Sequence, residues 1–197
     1  MRSRHRRGEG SLLRDELIEA ARRLLSTAER EGDLSIRAVT RAAGVAPQSF
    51  YLQFRSLDEL LYAVYAIEFG RLRAAMESAA GRAAGPEARL LAACLAYCGY
   101  AEEHPGRYRA LTEVRGRVHH PGWENRDLPG APTFQLIQDL AAAALDASGL
   151  SADPFLVAAI LWVSLHGLVI LRASRPAFPW PPLETMTAAI VEHAVGR

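Results

Sequence analysis

Apolar residues recur at intervals of three and four positions along nearly the whole chain, and this spacing restricts the fold more than any other feature of the sequence. The first such run places leucines and alanines on one helical face from about residue 11 to residue 29. Later runs begin or end at glycines, prolines or capping residues. No segment shows the alternation of apolar and polar residues that is typical of a half-buried strand. The pattern therefore predicts an all-α protein.

Residues that start and stop helices divide this pattern into elements. Ser35 and Gly44 are the predicted caps of a short helix, and Pro47 is the predicted first residue of a second one, which runs to about Phe54. Ser56 and Glu59 have the spacing of a capping box. The helices predicted after them cover about 57–80, 86–104, a short segment from 105, 133–147, 154–172 and 183–195, with a long loop at 116–130 and a rigid proline-rich connection at 173–182.

Charge is distributed unevenly along a chain that is nearly neutral as a whole. The 197 residues carry a formal net charge of +1, and half of them are hydrophobic, so the chain can bury a sizeable core. Residues 1–55 contain eleven arginines against seven acidic residues, a charge of +4, whereas the rest of the chain carries −3. This asymmetry favours a nucleic-acid partner at the N-terminal end.

Residues 35–55 have the spacing of a helix-turn-helix motif, in which a glycine turn separates two short helices. The second helix of such a motif enters a DNA major groove about 12 Å wide, and side chains at its N-terminal end contact base edges. Here Gln48 can pair with adenine through its amide, whereas Ser49 is a less selective donor or acceptor. Tyr51 and Gln53 lie further along and are expected to bond phosphates. The predicted DNA contacts are Ser35, Arg37, Pro47, Gln48, Ser49, Tyr51, Gln53, Arg55, Arg4 and Arg6.

The run from about Arg14 to Leu61 resembles the DNA-binding domain of the tetracycline-repressor (TetR) family. The matching residues are Ala20, Ala21, Leu24, Leu25, Ile36, Val39, Ala43, Gly44, Val45, Phe50, Tyr51, Phe54, Ser56, Glu59 and Leu60. The resemblance implies an N-terminal three-helix helix-turn-helix domain that binds double-stranded operator DNA, followed by a C-terminal helical bundle for ligand binding and dimerisation. It also implies that Tyr51 contacts a phosphate and that Phe54 packs the short helices together.

Three positions depart from the family pattern. Ala46 replaces the usual serine or threonine N-cap, and the loss of such a cap costs about 1 kcal/mol. Gln53 replaces a common histidine and keeps a hydrogen-bond donor. Leu57 replaces a lysine that usually meets the DNA backbone. We therefore expect one cationic phosphate contact fewer at each half-site and a weaker salt dependence of DNA binding.

Residues 1–10 are polar and basic, and we predict that they form a disordered arm. Four arginines precede residue 8, namely Arg2, Arg4, Arg6 and Arg7. One interpretation places the arm in the adjacent minor groove, as homeodomain arms are. The alternative is a solvated tail, and the sequence does not decide between them.

Two short segments of the C-terminal part resemble one class of TetR C-terminal domains. One contains Trp162, His166 and Gly167, and the other is 104–116, with a His-Pro pair and Tyr108. The predicted ligand pocket comprises Cys94, Tyr97, Tyr100, Trp123, Phe134, Trp162 and His166. Each of these residues also has an interpretation as simple core. For His166 the favoured interpretation is a core histidine that bonds a neighbouring helix.

Cys94 and Cys98 lie four residues apart in a predicted helix and do not form a disulfide framework. A metal site would need two further ligands at convergent positions, and no spacing pattern links His104, His119 or His120 to the cysteines. We expect small core residues, no metal and no cofactor, with metal binding and redox sensing as alternatives. Since no apolar run follows the N-terminal arginines, we expect no secretory signal and a cytoplasmic location.

The segment 154–171 is apolar and about as long as the shortest membrane-spanning helices. Its Ser164, His166 and Gly167, together with the absence of a second such span, favour a fully buried core or interface helix and no membrane. We predict that it pairs with 183–195 across a homodimer interface. The predicted interface residues are Ile160, Leu161, Leu168, Met186 and Ile190.

The combined interpretation is a ligand-responsive transcriptional regulator, a repressor that a small hydrophobic effector releases from its operator. Its predicted domains are the arm (1–10), the helix-turn-helix domain (11–56) and the ligand-binding and dimerisation domain (57–197). One alternative is an activator or partner-dependent regulator of the same family. Another is a small helical enzyme that uses His166, although the sequence contains no nucleophile elbow, phosphate loop or paired metal ligands. The protein is therefore not expected to be an enzyme.

Overall fold

A computed structural model describes residues 9–27, 34–112 and 128–196. Over these residues the chain forms nine helices and no strand, which confirms the predicted all-α class. The helices are α1 (Glu9–Thr27), α2 (Ile36–Ala43), α3 (Pro47–Phe50), α4 (Leu57–Arg82), α5 (Pro86–Glu103), α6 (Pro105–Thr112), α7 (Ala131–Ser148), α8 (Pro154–Ser174) and α9 (Leu183–Ala194).

The chain divides into two compact units. The N-terminal unit comprises residues 1–68 and 106–129, and the C-terminal unit comprises 69–105 and 130–197. The predicted domain boundary at residue 57 coincides with the start of α4, whereas the units divide inside that helix. The predicted division into functional domains stays a prediction.

The core of the N-terminal unit is built from the apolar faces of α1–α4. Leu17, Val39, Phe50, Leu60 and Val64 are each at most 1 % exposed. The same unit contains a close contact between the C-terminal end of α1 and α6. Arg109 donates a hydrogen bond to the Ser26 carbonyl at 3.4 Å, and a Cβ on Gly106 would lie only 2.9 Å from that oxygen. Gly106 is therefore required for this approach of two backbones.

In the C-terminal unit, α5 packs against α7, α8 and α9, and α7 and α9 each pack against α8. The buried apolar side chains at its centre include Leu90, Ile137, Leu161 and Leu165. Hydrogen bonds also join the helices: the hydroxyl of Thr187 on α9 donates to the Cys98 sulfur on α5 at 3.6 Å. Helices α5, α7, α8 and α9 therefore all contribute buried side chains to the core of this unit.

Several predicted boundaries shift by a few residues. The arm was predicted through residue 10, but α1 begins at Glu9. The second helix of the motif was predicted to run to about Phe54, but α3 ends at Phe50 and single turns follow. The amides of Leu52 and Gln53 bond the carbonyls of Ser49 and Phe50, so this stretch keeps helix-like bonds without a continuing helix. Most of the predicted loop 116–130 lies outside the described residues.

Helix α8, predicted to be a fully buried core or interface helix, is only partly buried in the single chain. Length and composition alone would let it cross a membrane, but only one helix among the described residues passes this test, which is weak evidence for a span. A third of its apolar window is buried, and Leu156, Ile160, Val163 and Leu171 are each between 46 % and 68 % exposed. Leu156, Ile160 and Val163 follow each other at intervals of four and three residues, and Leu171 lies about two turns further on, so the four share one apolar side of the helix, which we call the α8 face.

Candidate nucleic-acid interface

The turn between α2 and α3 has the geometry that the sequence predicts. Ser35 is in the extended region, and its side chain accepts a hydrogen bond from the Ala38 amide at 3.2 Å, which caps α2. Gly44 ends α2 with φ +69°, a conformation that L side chains rarely adopt. The amide of Val45 then bonds the Thr40 carbonyl at 2.9 Å. This turn fixes where α3 starts.

Two buried phenylalanines hold α3 and the turns after it. Phe50 is fully buried, Phe54 is 1 % exposed, and their ring centroids lie 5.7 Å apart. The guanidinium of Arg14 on α1 lies over the Phe54 ring, 4.9 Å from its centroid. The resemblance implied that Phe54 packs the short helices, and its burial agrees with that role. Since both rings point inward, the other side of the segment points outward.

That outward side carries most of the predicted DNA contacts. Within the motif, the exposed ones are Ser35, Arg37, Pro47, Gln48, Tyr51 and Arg55, and the half-buried ones are Ser49 and Gln53. Arg4 and Arg6 lie outside the described residues. The surface therefore offers an amide, a phenol and guanidinium groups, which are donors that suit base edges and phosphates.

Two exposed side chains of this surface were not among the predicted DNA contacts. Leu52 is 72 % exposed, and it lies four residues after Gln48. Arg41 is exposed on α2, four residues after Arg37. The four-residue spacing could have found both, because such pairs share a helical face.

Other arginines of the unit are used inside the protein. Arg23 donates a hydrogen bond from α1 to the Ala42 carbonyl on α2 at 3.2 Å. Arg22 pairs with Glu19 on its own helix and with Glu68 on α4, whose side chain is 3 % exposed. The described arginines of the first 55 residues are therefore divided between exposed positions of the motif and structural positions.

The predicted capping box at the start of α4 forms in a shifted version. Ser56 accepts a hydrogen bond from the Glu59 amide at 3.2 Å, but the Glu59 carboxylate accepts from the amide of Arg55, one residue earlier than the motif requires. Leu57, which stands where the family usually has lysine, is half-buried at the first position of the helix. It supplies no cation there.

Restoring a cap at position 46 should stabilise the N-terminal unit. Ala46 precedes α3 in an extended conformation and makes no side-chain cap bond. In Ala46→Ser, the hydroxyl can accept from the Gln48 or Ser49 amide, so we expect the free energy of unfolding to rise by about 0.5–1 kcal/mol. Chemical denaturation measures this change. Ala42→Ser is the control, since position 42 is exposed inside α2 and cannot cap; an equal gain there would contradict the prediction.

The predicted ligand-pocket residues fall into two groups. Cys94, Tyr97 and Tyr100 on α5 are buried. Phe134 on α7 and Trp162 on α8 are joined edge to face with centroids 6.0 Å apart, and Trp162 is 50 % exposed. His166 is half-buried, and Trp123 lies outside the described residues. Partial burial lowers the pKa of His166 below its usual range, which favours the neutral imidazole near pH 7.

The two cysteines have the character of core residues. Burial raises the pKa of Cys94 to about 12, with the neighbouring Cys98 adding to the rise. Burial also raises the pKa of Cys98 to about 11, although the Thr187 hydroxyl acts in the opposite direction. Since the thiolate is the reactive form, both thiols are poor nucleophiles near pH 7. No group of three or more His, Cys, Asp or Glu side chains suitable for a metal occurs in the part of the chain that the structure describes.

The predicted dimer residues fall into an exposed or half-buried group and a buried group. Ile160 is 46 % exposed, and Met186 and Ile190 are half-buried. Leu161 and Leu168 are 0 % and 5 % exposed in the single chain, so both lie in its core, and their predicted place in the interface stays a prediction. These two leucines point into their own unit because they lie on the side of α8 opposite the α8 face. The sequence alone could not tell which apolar side of a helix that is apolar all round faces its own core.

Comparison with known families decides what kind of protein this surface belongs to. The sequence profile of the bacterial regulatory proteins of the tetR family matches residues 17–64. The profile of the tetracyclin repressor-like C-terminal domain matches residues 90–197, more than half of the chain. The chain belongs to the TetR family. It is a DNA-binding transcription regulator, and the resemblance inferred from the motif is confirmed.

Solved structures similar to this TetR-family chain cover nearly its whole length. A protein of unknown function from Rhodococcus sp. RHA1 is 27% identical, with a TM-score of 0.74 and 93% of each chain covered. A TetR-family transcription regulator from Marinobacter aquaeolei VT8 is 17% identical, with a TM-score of 0.70 and coverage of 96% of this chain and 98% of that one. FadR from Bacillus subtilis, solved with stearoyl-CoA, is 13% identical, with a TM-score of 0.72 and coverage of 92% and 97%. The last two likenesses establish the fold alone.

Proposed function

We propose that this TetR-family regulator is a homodimeric, cytoplasmic repressor whose α3 segment reads operator DNA and whose C-terminal unit responds to a small hydrophobic molecule. The observation that carries the proposal is the outward side of α3. There Gln48 and Tyr51 are exposed while Phe50 and Phe54 fix the backbone from within. A recognition segment needs this combination of rigid support and accessible polar groups.

In the proposed complex, Gln48 bonds an adenine edge and Ser49 adds a less selective contact. Tyr51 and Gln53 bond phosphates, together with Arg37 and Arg55. Ser35 keeps its role as the cap of α2, and its hydroxyl proton is available to a phosphate. Phosphate contacts set the register of the protein, and base contacts supply the specificity.

The arginine arm is proposed to reach the adjacent minor groove. Arg14, in the second turn of α1, lies over the Phe54 ring, so the N-terminal end of α1 lies beside the end of the recognition segment. The eight residues before α1 include Arg4 and Arg6. Fully extended, eight residues span at most about 29 Å, which is enough to follow the DNA backbone into the next groove.

Dimerisation is proposed to bury the α8 face against a second copy of the chain, with Met186 and Ile190 of α9 at its side. A continuous apolar face of this kind is typical of an interaction surface in a soluble protein. A twofold dimer would present two α3 segments, and binding to successive major grooves requires a spacing of about 34–36 Å.

A small hydrophobic effector is proposed to bind in the C-terminal unit near Tyr97, Tyr100, Phe134, Trp162 and His166. Support comes from the aromatic cluster of Phe134 with Phe155 and Trp162, and from FadR of Bacillus subtilis, which was solved with stearoyl-CoA. The effector would favour a state in which α4 has moved and the spacing of the α3 segments no longer fits DNA. It can do so only through different affinities for the two states. Operator affinity measured with and without stearoyl-CoA, and then across a broad effector screen, tests this step; affinity that no effector alters would contradict it.

Substitution of the recognition residues tests the DNA-binding step and discriminates against an enzyme that uses His166. Gln48→Ala should weaken binding to a duplex selected from random sequence by the wild-type protein by about 1–3 kcal/mol, and should relax specificity at one base pair. Tyr51→Phe should weaken binding to every duplex by about the same factor whatever its sequence, since it removes a phosphate contact. Fluorescence anisotropy with labelled duplex measures both effects. The control is Gln135→Ala on α7, whose amide bonds Asp139 of the same helix. Unchanged affinity in both recognition variants would reject the proposed contacts.

An activator of the same family would give the same binding data. A promoter-fusion assay separates the two: deletion of the regulator should raise expression from its target promoter if it represses, and should lower expression if it activates.

A further inference from the structure

The N-terminal unit contains a cavity of about 130 Å³ that none of the proposed DNA contacts lines. Its walls come from the second half of α1, from α4 and from α6. Charged side chains make up most of the lining, namely Arg22, Arg23, Arg107, Glu19 and Glu68. A cavity lined mainly by charges is unsuited to an apolar molecule, so any ligand that it holds must be polar or ionic.

The cavity has a buried floor and an accessible rim. Val64 and Glu68 on α4 are 1 % and 2 % exposed, whereas Glu19, Arg23 and Arg107 are exposed. Small ions in solution therefore reach the charged groups directly. The volume corresponds to roughly four water molecules of the liquid, which is enough for one phosphate ion or one small carboxylate.

Two contacts hold α6 beside the C-terminal end of α1. Arg109 donates a hydrogen bond to the Ser26 carbonyl at 3.4 Å, and Gly106 approaches the same oxygen so closely that a Cβ would lie 2.9 Å from it. Arg107 lies between these two residues in the first turn of α6. The close contact of the two helices therefore places the Arg107 side chain on the wall that α1 begins.

The hydrogen-bond acceptors of the lining already have donors within the protein. Glu19 and Glu68 both accept hydrogen bonds from the Arg22 guanidinium. The carbonyl of Ser26, which also lines the cavity, accepts from Arg109. A ligand that donates hydrogen bonds would have to compete with these arginines.

The cationic groups of the lining exceed the anionic ones. Arg107 forms no hydrogen bond or ion pair with another residue in the described ranges. Arg23 donates to the Ala42 carbonyl at 3.2 Å, a neutral acceptor that leaves its charge uncompensated by that contact. With three guanidinium groups against two carboxylates, one negative charge in the cavity would make the site neutral.

We propose that this cavity binds a small oxyanion, a phosphate or a carboxylate, between Arg107 and Arg23. A guanidinium presents a planar fork of N–H donors that matches both of these anions. Arg22 stays bound to its two glutamates and adds its charge from the wall. The site goes beyond the proposed function, since it lies apart from the DNA contacts and from the proposed effector residues.

Isothermal titration calorimetry of the full-length protein tests the site, with potassium phosphate and sodium acetate as separate probes and potassium chloride to keep the ionic strength constant. We expect one anion per chain, and Arg107→Ala should weaken its binding by about tenfold or more. The matched control is Arg73→Ala, which removes an exposed arginine that pairs with Glu77 on α4 outside the cavity. Circular dichroism first establishes that each variant is folded.

A second variant should change the affinity in the opposite direction. Glu19→Gln removes one negative charge from the rim, so we expect the anion to bind several-fold more tightly. Damage to the fold would not produce such a gain, which makes this variant a check on Arg107→Ala. Tighter binding of phosphate than of acetate would identify a phosphorylated ligand, and the reverse would identify a carboxylate; either result supports the site.

Three results would overturn the proposal. The first is that neither probe binds in a saturable way, and the second is that Arg107→Ala binds as the wild type does or Glu19→Gln binds more weakly. The third is that Arg55→Ala loses the anion while Arg107→Ala retains it, because the anion would then lie on the DNA-binding surface. None of these results would affect the proposed operator binding, which is measured with duplex DNA.

Discussion

A single charge on the α8 face should abolish operator binding without unfolding the chain. Val163 is 68 % exposed in the single chain, so Val163→Asp leaves the core of the C-terminal unit unchanged. In a dimer the same carboxylate would be buried against its twofold mate without a partner, which is strongly unfavourable. We expect a monomer in sedimentation experiments. Operator affinity should fall by about 100-fold or more, because the second half-site is no longer bound as part of one complex.

Ala143→Asp is the matched control for this variant. Position 143 is exposed on α7, a different helix from the one that carries the α8 face, so the same charge there should leave both the mass in solution and operator affinity unchanged. A dimeric Val163→Asp protein with wild-type affinity would show that the regulator dimerises through another surface. A monomer that still binds the full operator tightly would show that DNA binding does not need the dimer.

The second large effect concerns the stability of the recognition motif. Phe54→Ala should lower the free energy of unfolding of the N-terminal unit by about 3–5 kcal/mol. Phe54 is 1 % exposed, packs on Phe50 and lies under the Arg14 guanidinium, so its truncation leaves a cavity and removes the cation–π contact. Urea denaturation followed by circular dichroism measures the loss, and operator binding should fall with the folded fraction.

Leu52→Ala serves as the comparison within the same segment. Leu52 is 72 % exposed, and truncation of an exposed side chain usually changes stability by less than about 0.5 kcal/mol. If both variants lost the same amount of stability, Phe54 would not be the anchor of the motif. If Phe54→Ala remained as stable as the wild type, the stability of the motif would not depend on this ring.

The recognition motif was the part of the fold that local sequence signals predicted best. Ser35 and Gly44 cap α2 as expected, because a capping side chain and a left-handed glycine act within a few residues of their own position. The length of α3 was overestimated, since four residues after Phe50 retain helical periodicity but turn away to bury Phe54. The shifted bond of Glu59 to the Arg55 amide is a similar local adjustment.

Local sequence patterns constrain the candidate ligand site less than they constrain the recognition motif, for a physical reason. Cys94, Tyr97 and Trp162 all lie on apolar helix faces, and periodicity gives the same signal for a core residue, a pocket wall and a dimer contact. Burial separates them: Cys94 and Tyr97 are inside the unit, whereas half of Trp162 is exposed. Distances between helices that are far apart in the chain are set by packing, which a single sequence does not encode in any local pattern.

Local sequence patterns were sufficient to predict the all-α class, the helix-turn-helix motif and its family, because caps, turns and 3.6-residue periodicity are local properties of the chain. The packed structure was needed to show which side of α8 is exposed in the single chain and that Leu161 and Leu168 lie in its core. It alone also brought Glu68 to Arg22 and Thr133 to Phe69, since each pair joins helices 46 or more residues apart. Such contacts depend on how amphipathic helices choose among alternative apolar partners, and that choice is made only when the whole unit packs.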